Sequence, residues 1–268
     1  MKIDLHCHST YSDGSLTPLE LLKKAEEQDI KILAITDHDN IDAHHELATV
    51  KTPIQLITGI EFSSYWQKTG IHIVGLYVNI HSRTLATAIK KQQLAREDRA
   101  KIISKKLEKL GLENAYEQIK SKHPNKQIGR PNFAALLVST GICKDHNQAY
   151  KKYLGAGKIG DVKNQWLDYQ EIIRVITAAG GMAILAHPLY YKLTNSKLHR
   201  LLQDFKKSGG QALEVINGYQ NPDLTQYLIK LAQKFNFKAS LGSDFHAPNR
   251  WCHLGCDSAY LQELELVC

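Results

Sequence analysis

The sequence predicts an α/β protein: a parallel sheet rolled toward a β/α barrel, with a block of helices inserted into it. Three observations predict this. Short apolar runs alternate with helical patterns along most of the chain, as a parallel sheet built from β–α units requires. About seven such units can be counted, enough for a barrel. One stretch, residues 84–158, breaks the alternation with helical periodicity and no convincing strand.

The candidate strands are Ile3–Leu5, Ile32–Thr36, Gln55–Ile60, Ile71–Val78, Met182–Ala186, Ala212–Ile216 and Lys238–Leu241. Between the first two, TPLE at residues 17–20 is a capping box, with Pro18 at the first helical position. A second helix is expected from Tyr169 to Ala179, started by Asp168 and stopped by Gly180 and Gly181. Within the insertion, Arg83–Leu110 is helical in period and rich in lysine and arginine. Further helical patterns follow at Asn114–Lys122, Pro131–Thr140 and Asp145–Leu154. The expected division is therefore a first barrel segment at 1–83, a helical insertion at 84–158, and a second barrel segment at 159–268.

Length and composition suit a folded core without covalent staples: 268 residues, 43% hydrophobic and 23% charged. The five cysteines (Cys7, Cys143, Cys252, Cys256 and Cys268) are odd in number and form no C-x-x-C pair. This argues against a disulfide framework or a zinc ribbon. The first residues lack the apolar core of a signal peptide, and no run approaches a membrane span. A soluble, cytoplasmic protein with no membrane and no obligate protein partner is expected. The net charge of +7 fits a polyanionic ligand such as a nucleotide or RNA.

The histidines and carboxylates gather where candidate strands end. The first strand runs into Asp4, His6 and His8, followed by Asp13. The second runs into Asp37, His38 and Asp39, and the third ends on Glu61. The fourth carries His72 close to its start. The fifth ends on His187, and the seventh runs into Asp244 and His246. In a β/α barrel these ends converge on one face. His6 and His8 are two apart on a strand and point the same way, leaving Cys7 to pack on the other side. Six histidines with Asp13, Glu61 and Asp244 make nine potential ligands. One ion takes roughly four to six, so two or three divalent transition ions (Mn, Zn or Fe) are expected, with a carboxylate bridging. The remaining histidines (His44, His45, His81, His123, His146, His199 and His253) fall in helical or loop patterns and read as surface residues.

At these residues the chain resembles the PHP (polymerase and histidinol phosphatase) family. DLHCHSTYSDG at 4–14 is similar to the family's opening motif. TDHD at 36–39, GIE at 59–61, His72, AHP at 186–188 and GSDFH at 242–246 are similar to its later motifs, in order. The resemblance covers the whole chain. It implies a distorted (β/α)7 TIM-like barrel and a di- or trinuclear site that hydrolyses phosphate esters. By that pattern His6, His8, Glu61 and Asp244 would hold one ion. Glu61, His72 and His187 would hold a second, and Asp13, His38 and His246 would complete a third. More narrowly, the insertion resembles that of the bacterial branch containing 3′,5′-nucleoside-bisphosphate phosphatase, also described as the 5′→3′ exoribonuclease RNase AM. The similar segments are GRPNFA at 129–134, the glycine-containing run 150–158, and Gln165 with Trp166. Relatives often have His where this chain has Asn132. They tend to carry a small residue and then Arg where it has Leu189 and Tyr190.

The expected chemistry needs no protein nucleophile: a hydroxide bridging the ions attacks in line, with Asp37 orienting a ligand from behind. Arg130 is the leading phosphate contact, since a planar guanidinium grips phosphate with two hydrogen bonds. Lys158 follows Gly155 and Gly157, which permit close backbone approach. Arg99, Arg96 and Asn132 are further candidates on the insertion. The substrate is thus expected to be a nucleotide or a short RNA with a 5′-phosphate. Two other readings are histidinol-phosphate phosphatase, which Arg130 in the insertion argues against, and a non-catalytic PHP module, which the filled ligand positions argue against.

Overall fold

The computed structural model describes all residues except 123–126, 164, 249–252 and 262–263, together with the side chain of Tyr260. His123 and Cys252 therefore lie outside the described residues. The chain divides into two compact units, Met1–Ile89 with Leu167–Cys268, and Lys90–Trp166.

The first unit carries the sheets. Strands β1 (Lys2–Cys7), β2 (Ile30–Ile35), β3 (Gln55–Leu56), β4 (Gly59–Trp66), β5 (Thr69–Leu76), β6 (Met182–Leu185), β7 (Ala212–Asn217), β8 (Lys238–Gly242) and β9 (Cys256–Asp257) form two sheets. One has the order β3-β2-β1-β9, the other β4-β5-β6-β7-β8. They do not run into one continuous ladder. Single bridges tie their neighbouring edges, Cys7 to Phe245 on one side and His38 to Glu61 on the other. Asp244 N also donates to His6 O at 2.7 Å and His8 N to Phe245 O at 2.9 Å.

The sheets are mixed rather than wholly parallel. β1 with β2, β2 with β3, β6 with β7 and β7 with β8 are parallel. β5 is antiparallel to both β4 and β6. The cause is the two-residue link at Gln67 and Lys68, with Gln67 at φ 54°. So short a link can only make a hairpin, because parallel neighbours need a crossover of a dozen residues or more. The expected third strand also divides. Gln55–Leu56 is a short strand of its own, and Glu61 is the third residue of β4 rather than a strand end. Reversal of β5 explains why His72 lies in the first half of its strand. That half of an antiparallel strand meets the C-terminal ends of its neighbours.

Helices α1 (Pro18–Glu27), α2 (Asp42–Leu47), α7 (Tyr169–Ala178), α8 (Asn195–Lys207) and α9 (Pro222–Phe235) cover the sheets. The capping box forms: Thr17 N donates to Glu20 Oε2 at 2.8 Å and Glu20 N to Thr17 Oγ1 at 3.3 Å. Asp168 caps α7 through Gln170 N at 2.9 Å. Gly181 ends it where a side chain would meet Leu76 O at 2.8 Å. Cys7 packs with Leu21, Leu33 and Phe245. His44 is not a free surface histidine. Its Nε2 lies 2.9 Å from Ile35 O and 2.8 Å from Gly59 O, joining the end of β2 to the start of β4. Cys7, Cys143 and Cys268 are free thiols. Among the described residues no helix is long and apolar enough to cross a membrane.

The second unit is helical, with most of α3 (Arg83–Leu107), then α4 (Ala115–Lys122), α5 (Arg130–Ser139) and α6 (His146–Ala149) continuing into a π turn at Tyr150–Leu154. It has its own core of Ile103, Leu107, Phe133, Leu137 and Leu154 among others. Its bounds differ from the 84–158 read from sequence at both ends. Leu85, Ala88 and Ile89 at the head of α3 belong to the first unit's core, whereas Val162 packs in the second.

In the first unit β1 lies close against the end of β8. A Cβ added to Gly242 would lie 2.3 Å from His6 Cβ and 2.7 Å from His6 N. Gly242→Ala is therefore expected to push β1 aside, at a cost of roughly 1–3 kcal/mol. For a chain of this size each kcal/mol lowers the melting temperature by about 2–4 °C. An unchanged thermal unfolding curve would show that β1 and β8 do not need this contact.

Candidate metal centre

All nine ligand candidates from the sequence lie together in the first unit, around Glu61. Its side chain is fully buried. Its Oε1 is 2.9 Å from His72 Nδ1, 3.0 Å from His187 Nε2 and 3.2 Å from His6 Nε2. Its Oε2 is 2.7 Å from His38 Nδ1 and 3.4 Å from His8 Nε2. The five imidazoles close a ring about the carboxylate. Centroid separations are 5.3 Å from His6 to His8, 4.6 Å to His38, 5.0 Å to His72, 5.1 Å to His187 and 5.6 Å back to His6. Asp244 Oδ1 adds a second carboxylate 3.2 Å from His8 Nε2 and 3.6 Å from His6 Nε2. Asp13 lies 3.3 Å from His246 Nε2 and 3.8 Å from His38 Nε2.

These donors converge instead of pairing. His6 Nε2, His8 Nε2, Asp13 Oδ1, Glu61 Oε2 and His187 Nδ1 are buried and complete no hydrogen bond. Buried polar atoms are normally satisfied, so a concentration of such atoms calls for a missing partner. Three sets have ligand atoms mutually within 4.8 Å: His6, His8 and Glu61; His38, Glu61 and His72; and His8, Asp13, His38 and His246. Imidazole nitrogen and carboxylate oxygen suit divalent transition ions. The residues present fit such ions, and Glu61, His8 and His38 each belong to two of these sets.

The electrostatics of the cluster follow from its crowding. Burial pushes the Glu61 carboxyl up, but His72, His38 and His6 outweigh it and hold it well below the usual range. Burial, then the charge of His246, lowers His8 to about 3. Burial also opposes charging of His246, yet the Asp13 carboxylate against it raises that imidazolium to about 9.

A second layer of carboxylates holds the first. Glu214 on β7 is buried, with Oε1 2.9 Å from His6 Nδ1, while its Oε2 accepts from His187 N at 2.6 Å. It thus fixes which nitrogen His6 turns toward the centre. The sequence reading missed Glu214. The available signal was a glutamate inside ALEVIN at 212–217, a run otherwise too apolar to leave a charge in water. Asp4 accepts from Ser243 N at 2.9 Å, Gly255 N at 2.7 Å and Ser243 Oγ at 2.5 Å, clasping β1 to the end of β8. Burial lifts its carboxyl to about 6 against those hydrogen bonds. Asp37 accepts from Ser9 N at 2.8 Å and from Ser12 Oγ at 2.5 Å. Ser12 Oγ stands 3.4 Å from His8 Nδ1, so Asp37 reaches His8 through a hydroxyl rather than directly. Tyr191, also unanticipated, donates from its hydroxyl to Ala186 O at 2.6 Å and accepts from His72 N at 3.0 Å.

The substrate candidates Arg99, Arg130, Asn132 and Lys158 belong to the second unit. Arg99 is buried, donates from Nε to Val162 O at 3.0 Å, and lies 5.5 Å from the Trp166 ring. Burial, then the charges of Arg130 and Arg96, lower it to about 10. Arg130 is the first residue of α5. Asn132 spends its Oδ1 on Gly129 N at 2.8 Å, as a cap of that helix. Lys158 is exposed in a turn closed by its own N–H to Gly155 O at 3.0 Å.

Residues 4–219 match the PHP domain family. The chain belongs to that family. Among relatives, a 5′-3′ exoribonuclease of Haemophilus influenzae is 43% identical over 95% of this PHP chain and 93% of its own. A 3′,5′-nucleoside bisphosphate phosphatase of Chromobacterium violaceum is 35% identical over 99% of this chain and 93% of its own. Among solved structures, an amidohydrolase from Chromobacterium violaceum with bound sulfate and no metal superposes with a TM-score of 0.88. It is 35% identical, covering 96% of this chain and 92% of that one.

Glu214→Ala is expected to free the His6 ring and the His187 backbone and to weaken metal binding by roughly 10–100-fold. Competition with a chelator of known affinity measures this. Unchanged affinity would remove Glu214 from the site's support.

Proposed function

We propose that this PHP protein hydrolyses phosphate esters of nucleotides or of RNA 5′ ends, using two or three divalent transition ions held by the nine clustered residues. The observation that carries the proposal is the buried Glu61 carboxylate inside a ring of five imidazoles, with ligand sets that share Glu61 and His8. The relatives' activities support the nucleotide or RNA substrate. The alternation of strands and helices about this cluster supports a distorted barrel whose two sheets meet at the Cys7–Phe245 and His38–Glu61 bridges.

When bound, the ions supply Lewis acidity, which activates water near neutral pH and neutralises charge on the phosphoryl oxygens. Glu61 would hold more than one ion, since its two oxygens face different histidines. His6, His8 and Asp244 form one set of donors, His72 and His187 stand together on Oε1, and Asp13, His38 and His246 form a third. Glu214 and Ser12 keep His6 and His8 in the required orientation. In the second unit, Arg130 and Arg96 keep like charges beside Arg99. The Asp161 carboxylate opposes these charges in part, and the positive end of α5 adds to the basic group, which favours an anion. This group binds a phosphate of the polyanionic substrate, with Lys158 adding charge.

Elemental analysis is expected to find at least two equivalents of transition metal per chain. Glu61→Gln should lower that number, because a neutral amide bridges two cations poorly. A protein that turns over with one metal or none would overturn the multinuclear reading. Phosphate release from adenosine 3′,5′-bisphosphate, 5′-phosphorylated oligoribonucleotides and histidinol phosphate tests the substrate class. Preference for the last would overturn it.

Arg130→Ala should lower kcat/KM on nucleotides by roughly ten- to a thousandfold, if about 1.5–4 kcal/mol of charge-assisted binding is lost. Metal content should not change. Full activity in the variant would remove Arg130 from substrate binding.

A further inference from the structure

Immediately after His187 the chain makes a short 3-10 turn, Pro188–Tyr191. This turn is held from three directions. His187 N donates to Glu214 Oε2 at 2.6 Å, the Tyr191 hydroxyl reaches Ala186 O at 2.6 Å, and Tyr190 N closes the turn on His187 O at 3.0 Å. His187 itself has φ 25°, a backbone conformation that persists only where its surroundings impose it. The turn is therefore a rigid mount beside the cluster.

Tyr190 stands on that mount. Its ring lies nearly parallel to the His187 imidazole, with centroids 5.4 Å apart and 19° between planes. His187 Nε2 is in turn 3.0 Å from Glu61 Oε1. Yet Tyr190 is 62% exposed. An exposed tyrosine alone needs no explanation. One that is stacked on an imidazole at the edge of the cluster, on a turn fixed at both ends, presents an aromatic face beside that cluster.

We infer that Tyr190 is a specificity residue, whose exposed ring stacks on a nucleobase of the substrate. The inference rests on the nucleotide reading above and adds where the base is held. In a 5′-nucleotide the base is one sugar away from the phosphoryl group. With that group on the cluster, the base lies within reach of a ring one residue-width from His187. Every base has a π face, so stacking tolerates any base sequence, as hydrolysis of varied nucleotides or RNA ends requires. A ring already fixed by its turn loses little conformational entropy on binding. Stacking uses the ring and not the hydroxyl, so phenylalanine should substitute.

The test compares adenosine 5′-monophosphate with ribose 5-phosphate, which differ by the base alone. Calorimetry on the full-length metal-loaded protein measures binding of each, alongside turnover of adenosine 3′,5′-bisphosphate. Tyr190→Ala is expected to weaken the adenosine nucleotide by roughly five- to a hundredfold, the range of base–aromatic stacking, and to leave ribose 5-phosphate unchanged. Tyr190→Phe should restore wild-type selectivity, and both variants should keep metal content and melting temperature. Equal losses on both ligands would make Tyr190 a support for His187 only and overturn the inference. No loss on either would overturn it as well. If the wild-type protein neither binds nor hydrolyses any nucleotide, the functional reading itself fails. If it does both and Tyr190→Ala keeps the wild-type ratio, only the stacking role falls.

Discussion

The structure is organised by the cost of burying one carboxylate. Glu61 has no exposure to water, and an isolated charge there would cost several kcal/mol or simply be protonated. Five imidazole nitrogens stand within 3.4 Å of its two oxygens and hold it ionised. Those imidazoles come from β1, the segment after β2, β5 and the segment after β6. The carboxylate can be accommodated only when these segments have all reached the same place. The same set of donors holds more imidazoles than one carboxylate can pair, so it could hold cations as well.

The surrounding layer consists of anions again. Asp4, Asp37 and Glu214 are buried, and each accepts from backbone N–H groups at the ends of strands. This placement fits the backbone requirement there. Three non-glycine residues at the centre, Asp39, His187 and Asp244, have φ of 49°, 25° and 51°. Such conformations cost about 1–3 kcal/mol each and persist where neighbours over-determine them. Asp39 N donates to Glu61 O at 2.9 Å, His187 N to Glu214, and Asp244 N to His6 O at 2.7 Å. Each bend is thus held by a bond to the site, and each turns a side chain or chain direction toward it. Strain and ligand position are two descriptions of one arrangement.

Much of this was legible in the sequence, for a physical reason. A two-residue spacing such as His6 and His8 keeps its meaning at a strand end, because the side-chain period of a strand is fixed; Asp244 and His246 lie beyond β8, where the bend at Asp244, φ 51°, sets their direction instead. The helix signals at Thr17, Glu20 and Asp168 were equally local and held. What escaped depends on partners far along the chain. Glu214 reads as a stray charge until His6, 208 residues away, is seen beside it. The β4–β5 hairpin was hidden because Gln67 takes positive φ without being glycine, and because Ser63 and Ser64 interrupt the apolar run. His44 looked like a surface helix residue until the end of β2 and the start of β4 met its ring. The bounds of the helical unit shifted because a long helix gives no sequence mark where its burial passes from one core to another.

This dependence on distant partners has an energetic consequence. The ligands run from His6 to His246, so no pair of neighbouring segments can assemble the centre in advance of the fold. Any ion that binds only the assembled cluster would therefore stabilise the folded state of the first unit by mass action. Burial and the charge of His246 disfavour a proton on His8, while the Asp13 carboxylate favours one on His246. The second unit has its own core and contributes none of these ligands.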